Sequence, residues 1–312
     1  MNAILNKIVF IVGPTGVGKS QVALVLASRL DAEIVSCDAM QVYREASIAN
    51  DKPLPADLEK VPHYLVDCVS VTEDFDVARY RKEAAARIDD ILGRGKTPLV
   101  VGGSGMYMSI LLDGIFEGGK EDPQVRRQIR EDAQVQGIEK IYSRLKKVDP
   151  QAAAAINPND ERRIIRALEV YLLMKKPITQ LQKQRRGLWG NYDIQIFALN
   201  RERAELYDRV NQRVEDMFHR GLVEEIKKLN ALPLSRSAKG LIGIPELTGY
   251  LSGEHALEKA KELIKMNTRH YVKRQLTWFR KDKRLVWIMV NPEESPTDVA
   301  VRILEHVNEN GK

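Results

Sequence analysis

The chain has 312 residues, 44% of them hydrophobic and 29% charged, and a formal net charge of +6. That is ample to bury a core, as one large domain with an insertion or as two domains, and so mild a basic excess says little by itself about partners. Two cysteines, Cys37 and Cys68, without CxxC or zinc-finger spacing argue against a disulfide framework and a structural zinc site; no membrane-length apolar run occurs, and Met1 to Phe10 hold no long apolar leader, so a cytoplasmic chain is expected.

Lys7 to Val12 (KIVFIV) is a short β-branched run ending at glycine, the pattern of a buried parallel strand. Lys19 to Leu30 follows with helical periodicity, Glu33 to Ser36 reads as a second strand, His63 to Val69 as a third, and Asp76 to Leu92 as a helix. Thr97 to Val101 is another buried strand, stopped by Gly102-Gly103. Strands alternating with helices predict a doubly wound α/β core. Residues 122–188 change character, reading as charged, alanine-rich helices with no strand candidate. The β pattern returns at Asp193 to Leu199, so the organisation expected is a core of residues 1–121 and 189–312 around a helical insertion domain at 122–188. Helices over about 202–219 and 255–281, a strand at 285–290 and a last helix from Pro296 complete the core.

Gly13-Pro-Thr-Gly-Val-Gly-Lys19-Ser20 matches GxxxxGK(S/T) between a predicted strand and a predicted helix. Glycines there let backbone N–H groups converge on phosphate oxygens, and the helix N-terminus adds partial positive charge. Lys19 is suited to bridging phosphates and Ser20 to holding magnesium, so a diphosphate-bearing ligand is expected, with no indication that it is a nucleotide. ATPases and GTPases end a later core strand in an acid that helps hold the metal. Here the strand at 99–101 ends in Gly102-Gly103-Ser104, and the nearest acid at a strand end is Asp38. Placed facing the phosphate loop, such an acid suits a general base; the bland reading is a turn or helix cap.

Across nearly its whole length the chain resembles the bacterial tRNA dimethylallyltransferase (isopentenyl-diphosphate:tRNA transferase) family. The resemblance rests on blocks in family order: GPTGVGKS at 13–20, SCDAMQVYR at 36–44, PHYLVD at 62–67, LVVGGSGMY at 99–107, NPNDERRIIRALEV at 157–170, YDRVNQRV at 207–214 and TRHYVKRQLTWFR at 268–280. It implies a P-loop NTPase-like fold and transfer of a dimethylallyl group from its diphosphate to N6 of the adenosine 3′ of the anticodon, in tRNAs reading codons that start with U. Gly13, Pro14, Thr15, Gly16, Val17, Gly18, Lys19 and Ser20 would then hold the diphosphate with Mg2+, Thr15, Gly16, Gly18, Lys19 and Ser20 supplying the donors. Arg209 and Arg213, four apart on one predicted helix face, would converge on the leaving group with Thr15, and Asp38 would take the proton of the adenine amine. Asp38, Ala39, Met40, Gln41 and Ser104 fall where the family contacts the base; Arg127, Arg162, Arg163, Arg166, Lys273 and Arg274 where it contacts tRNA. The partners implied are the tRNA anticodon stem-loop and dimethylallyl diphosphate, bound by a monomer away from any membrane.

Rings at 271, 278 and 279 read as core in preference to stacking platforms, His63 as a structural hydrogen bonder and Cys37 as buried filler. The sequence departs from the family at Ala39, at Ser104, where threonine is usual, at Ser47-Ile-Ala-Asn-Asp-Lys52-Pro53, where D-I-G-T-A-K-P is usual, at Asn157 and at Ile244-Pro245. The alternatives weighed are a nucleoside-monophosphate-type kinase, an isopentenyltransferase acting on free AMP or ADP, and a non-catalytic RNA-binding protein on the same fold.

Overall fold

The computed structural model describes residues 6–116, 118 and 121–309, so residues 1–5 of the N-terminal reading lie outside it. The chain divides into two compact units, 1–111 with 189–312, and 112–188. In the larger unit the elements run β1 (Lys7–Val12), α1 (Lys19–Leu30), β2 (Ala32–Ser36), α2 (Pro55–Lys60), β3 (His63–Tyr64), α3 (Val77–Gly93), β4 (Thr97–Gly102) and α4 (Gly105–Asp113), whose last turn enters the second unit. That second unit holds α5 (Pro123–Gln136), α6 (Ile138–Val148), α7 (Pro150–Ala155), α8 (Glu161–Met174) and α9 (Ile178–Gln182). The chain then returns through β5 (Asp193–Asn200), α10 (Arg203–His219), α11 (Leu222–Asn230), α12 (Ile244–Leu251), α13 (Leu257–Phe279), β6 (Leu285–Met289) and α14 (Pro296–Glu309).

The six strands form one parallel sheet in the order β3-β2-β4-β1-β5-β6. Central strands buried on both faces need continuous apolar side chains, and β1 supplies Ile8 to Val12, all fully buried. On one face Val22, Leu26 and Ala27 of α1 share a core with Ala300, Ile303 and Val307 of α14; Tyr80, Ala84, Ile88 and Ile91 of α3 are buried beside β2 and β4. Fully burying one leucine-sized side chain contributes about 1.5–3 kcal/mol, so these stripes are what hold the layers. The registers Val12↔Gly102, Ser36↔Val101 and Val12↔Ala198 bring the carboxyl ends of β1, β2, β4 and β5 to one edge. In open α/β sheets that edge is where ligands bind.

The third strand is shorter than the run 63–69 predicts. Leu65 and Asp67 adopt positive φ, 62° and 56°, which ends the ladder after Tyr64, and Val69 makes only an isolated bridge to Tyr43. In the helical unit, α5, α6 and α8 pack around Ile129, Ile141, Leu145, Ile164, Ile165 and Leu168. On α8, Glu169, with no exposed surface, accepts from the Asp122 amide, from Arg126 Nη2 at 3.0 Å and from Arg166 Nη1 at 2.6 Å. A buried carboxylate is tolerated when it is paired and hydrogen-bonded in this way.

Candidate active site

After β1 the chain turns through residues 13–18 into α1. Gly13 has φ +144°, and a Cβ there would lie 2.5 Å from the Leu199 carbonyl oxygen on β5, so only glycine fits. Gly18, at φ 103°, caps α1, whose first-turn amides have no intrahelical acceptor and face the loop with the positive end of the helix dipole. The Lys19 ammonium donates to the Pro14 carbonyl at 2.8 Å across this loop. Burial lowers it to about 8; Arg213 pushes the same way, while Asp38 and Asp51 oppose. Ser20 is exposed at the start of α1.

Three arginines close on the loop from the α10 side. Arg201 Nε donates to the Val17 carbonyl at 3.1 Å, Arg209 Nε to the Gly16 carbonyl at 2.9 Å, and Arg213 Nη1 to Thr15 Oγ1 at 2.6 Å. Arg209 and Arg213, four apart on α10, thus both reach the loop itself. Glu205, one turn before Arg209 on α10, pairs with Arg201. The Thr15 amide donates to Gln275 Oε1 of α13 at 3.0 Å, so the donor this threonine can offer a ligand is its hydroxyl.

Opposite the loop, β2 delivers Cys37 and Asp38. A Cβ on Gly102 would sit 2.1 Å from the Cys37 carbonyl oxygen, so glycine at the end of β4 lets the two strand ends meet. The Ser104 amide donates to that carbonyl at 3.0 Å, and Ser104 Oγ accepts from the Tyr107 amide, capping α4. Asp38 Oδ1 accepts from the Met40 amide at 2.9 Å, a local turn of the kind the bland reading allowed, and Oδ2 has no protein partner among the described residues. Its charge opposes the lowering of Lys19 and adds to the rise of Tyr271, whose hydroxyl burial pushes well above the ordinary tyrosine range, so the end of β2 brings the carboxylate within electrostatic reach of the phosphate-loop lysine. Ala39, Met40 and Gln41 continue the turn, with Gln41 Oε1 accepting from Ser36 Oγ at 3.1 Å. Cys37 is fully buried, which raises its thiol to about 12 and leaves it unreactive. His63 Nδ1 meets the Val61 carbonyl at 2.7 Å, a structural contact.

The basic positions divide. Lys273 and Arg274 are exposed on α13, with Arg274 stacked over the Tyr271 ring at 5.6 Å. In the helical unit Arg127 and Arg162 are exposed, and Arg163 pairs with Asp160 at 3.3 Å. Arg166, expected among the tRNA-contacting residues, is less open than its neighbours. It is half-buried on Glu169, because a carboxylate inside the bundle demands a cation. Among the rings, Phe279 is core as expected, Tyr271 is half-buried, and Trp278 is 38% exposed, contrary to the core reading.

Residue-by-residue reading missed Gln275, Arg201 and Asp51. Gln275 is 4% exposed and bridges the Thr15 amide and the Gly103 carbonyl, the latter at 2.9 Å. Its signal was there: Thr268, Val272, Gln275 and Phe279 form the buried stripe of α13, and a polar side chain in such a stripe must find partners. No group of three His, Cys, Asp or Glu side chains that could hold a metal occurs among the described residues, and no described helix is long and apolar enough to cross a membrane.

Comparison with known proteins places the chain in a family. Residues 41–282 match the family model described as IPP transferase. The tRNA dimethylallyltransferase 2 of Geotalea uraniireducens is 45% identical over 284 residues, covering 90% of this chain and 92% of that protein. The tRNA dimethylallyltransferase of Geobacter sulfurreducens is 43% identical over 285 residues, covering 91% and 92%. Among solved structures, the full-length tRNA isopentenylpyrophosphate transferase of Bacillus halodurans superposes with a TM-score of 0.73 at 35% identity, covering 98% of this chain and 97% of that one. A eukaryotic dimethylallyltransferase captured acting on tRNA gives 0.81 at 28% identity, covering 98% and 79%.

Proposed function

The chain belongs to the IPP transferase family and is a transferase, and from that premise we propose how its residues carry the reaction. It is a tRNA dimethylallyltransferase. The diphosphate of dimethylallyl diphosphate lies in the loop of residues 13–20, and the acceptor is N6 of the adenosine 3′ of the anticodon in tRNAs reading codons that start with U. The C–O bond to diphosphate breaks as the N–C bond to the adenine amine forms, and Asp38 takes the amine proton. The amine lone pair is delocalised into the ring, so removing that proton as the bond forms is the difficulty the carboxylate answers. Charge grows on the leaving oxygens; Lys19, the Thr15 hydroxyl, the α1 amides, Arg209 and Arg213 meet it electrostatically.

Magnesium suits this donor set. It is held through one or two protein oxygens plus substrate phosphates, and Ser20, exposed at the start of α1, offers such an oxygen beside the anion cradle. Bound there, it would add positive charge against the leaving group. The base must be turned out of its loop to reach Asp38, with Ala39 to Gln41 and Ser104 alongside. Arg127, Arg162 and Arg163 on the helical unit, and Lys273 and Arg274 on α13, meet tRNA phosphates. We place the enzyme in the cytoplasm and as a monomer.

The observation that carries this reading is Asp38 just past the carboxyl end of β2, within electrostatic reach of the phosphate-loop Lys19, while β4 ends without an acid. Purified protein is to be given dimethylallyl diphosphate and magnesium with either unmodified tRNA or AMP. The expected product is a dimethylallyl adenosine in tRNA. Modified AMP with untouched tRNA would overturn the acceptor, and ATP turnover would point to a kinase.

A further inference from the structure

The run at 47–53, where this sequence departs from the family pattern, is fastened into the site. Glu225 of α11 accepts from three successive amides, those of Ser47 at 2.9 Å, Ile48 at 2.8 Å and Ala49 at 2.9 Å. Asn50 Nδ2 donates to the carbonyls of Met40 at 2.6 Å and Ala46 at 2.9 Å, and Lys52, 8% exposed, donates to the Arg44 carbonyl at 3.0 Å and pairs with Asp67. Residue 51 is therefore held from both sides. Its backbone is left-handed, φ 46°, a conformation that aspartate and asparagine tolerate better than most residues.

The carboxylate so placed reaches Arg213 Nη1 at 3.3 Å and Arg220 Nη1 at 3.4 Å. The same Nη1 of Arg213 serves the Thr15 hydroxyl, and Arg213 Nε is buried with no hydrogen-bond partner among the described residues. Arg213 thus faces two anions that want the same guanidinium: Asp51, built into the protein, and the diphosphate that the loop is proposed to bind. Taking the guanidinium from Asp51 costs the ligand that ion pair, and Asp51 then remains as a like charge close by.

We propose that Asp51 is a determinant of diphosphate affinity acting through Arg213: it occupies the guanidinium of the empty site and weakens the hold on diphosphate, whether this arrives on the donor or remains as product. This rests on reading the loop as the diphosphate site. Retention of product limits many transferases, so a built-in competitor would trade affinity for release.

Asp51→Asn removes the charge and keeps a side chain suited to the left-handed backbone; Asp51→Gly removes the side chain and is equally at ease there. Binding of inorganic diphosphate with magnesium is to be measured by calorimetry, and KM and kcat for dimethylallyl diphosphate with tRNA alongside. Both variants should bind diphosphate about three- to tenfold more tightly, lower KM for the donor, and melt within a few degrees of the parent. In an Arg213→Gln background Asp51→Asn should have no such effect. Unchanged or weaker diphosphate binding in a folded variant would overturn the proposal, as would equal tightening without Arg213, since a merely structural role loosens the loop and raises KM. A parent protein that binds diphosphate yet transfers nothing to tRNA would sink the functional reading and leave that of Asp51 standing.

Discussion

Gln275 is the strut that ties α13 to the phosphate loop, and its removal can be worked out from the structure. Its side chain is 4% exposed, accepts from the Thr15 amide at 3.0 Å and donates to the Gly103 carbonyl at 2.9 Å. Gln275→Leu keeps most of the volume and strips both bonds. The Gly103 carbonyl is left buried and unsatisfied, at about 1–3 kcal/mol, and the half-buried Thr15 amide adds about 0.5–1.5 kcal/mol, for a total of roughly 2–4 kcal/mol. Gln275→Ala should cost more, since it also opens a cavity. Urea denaturation followed by circular dichroism measures the loss. The Thr15 hydroxyl sits on the same residue, so KM for dimethylallyl diphosphate should rise together with the destabilisation. A Gln275→Leu protein less than about 1 kcal/mol below the parent, with unchanged KM, would show that loop and helix are not coupled through this side chain.

Three further outcomes are expected. Asp38→Asn should retain tRNA in a filter-binding assay and lose turnover by a factor on the order of 10²–10⁴, whereas loss of binding with chemistry intact would remove it as the base. Because Lys19 stands at about 8 in the empty loop, kcat/KM for the donor should fall as pH rises through about 8, with kcat much less affected since bound diphosphate keeps the ammonium charged; a flat kcat/KM profile from pH 7 to 9.5 would contradict this. Glu33 is held at about 2 against an ordinary 4.5, chiefly by the hydrogen bonds of Arg94, then Tyr64 and Lys96. This depressed carboxylate contributes its stability above about 4.5 and loses it as pH falls through about 2, so Glu33→Gln should cost about 2–3 kcal/mol at pH 7 in denaturant unfolding, and the gap should close as pH falls through that window.

What could be read without coordinates followed from local rules. KIVFIV before a glycine turn has one good solution, a buried parallel strand feeding a helix, and residues 7–30 adopt it. The alternation that separated a strand-free stretch from an α/β core depends on periodicity alone, which short-range chemistry sets. Features fixed by long-range pairing escaped. His63 to Val69 has strand composition, yet positive φ at Leu65 and Asp67 breaks the ladder for reasons not local to the run. Arg166 looks like any helix-surface arginine until Glu169, three residues on, proves to be buried. Gln275 and Asp51 act on partners from 162 to 260 residues away, and a lone polar residue carries no mark of which one it will meet. Where seven motif blocks agreed, the resemblance carried what spacing could not.

The arrangement of β1 has a consequence for how the protein is made. This strand pairs with β4 on one side and with β5, more than 180 residues later, on the other; its loop is then completed by Arg213 and Gln275. During synthesis the phosphate-binding motif leaves the ribosome first, yet it acquires its second sheet neighbour and its cross-ties only when most of the remaining polypeptide has emerged. Until then four of the six strands wait with β1 as an unpaired edge, which makes nascent chains and C-terminal truncations dependent on chaperones and prone to self-association. A fragment ending before α13 would carry the motif intact and still lack the pocket.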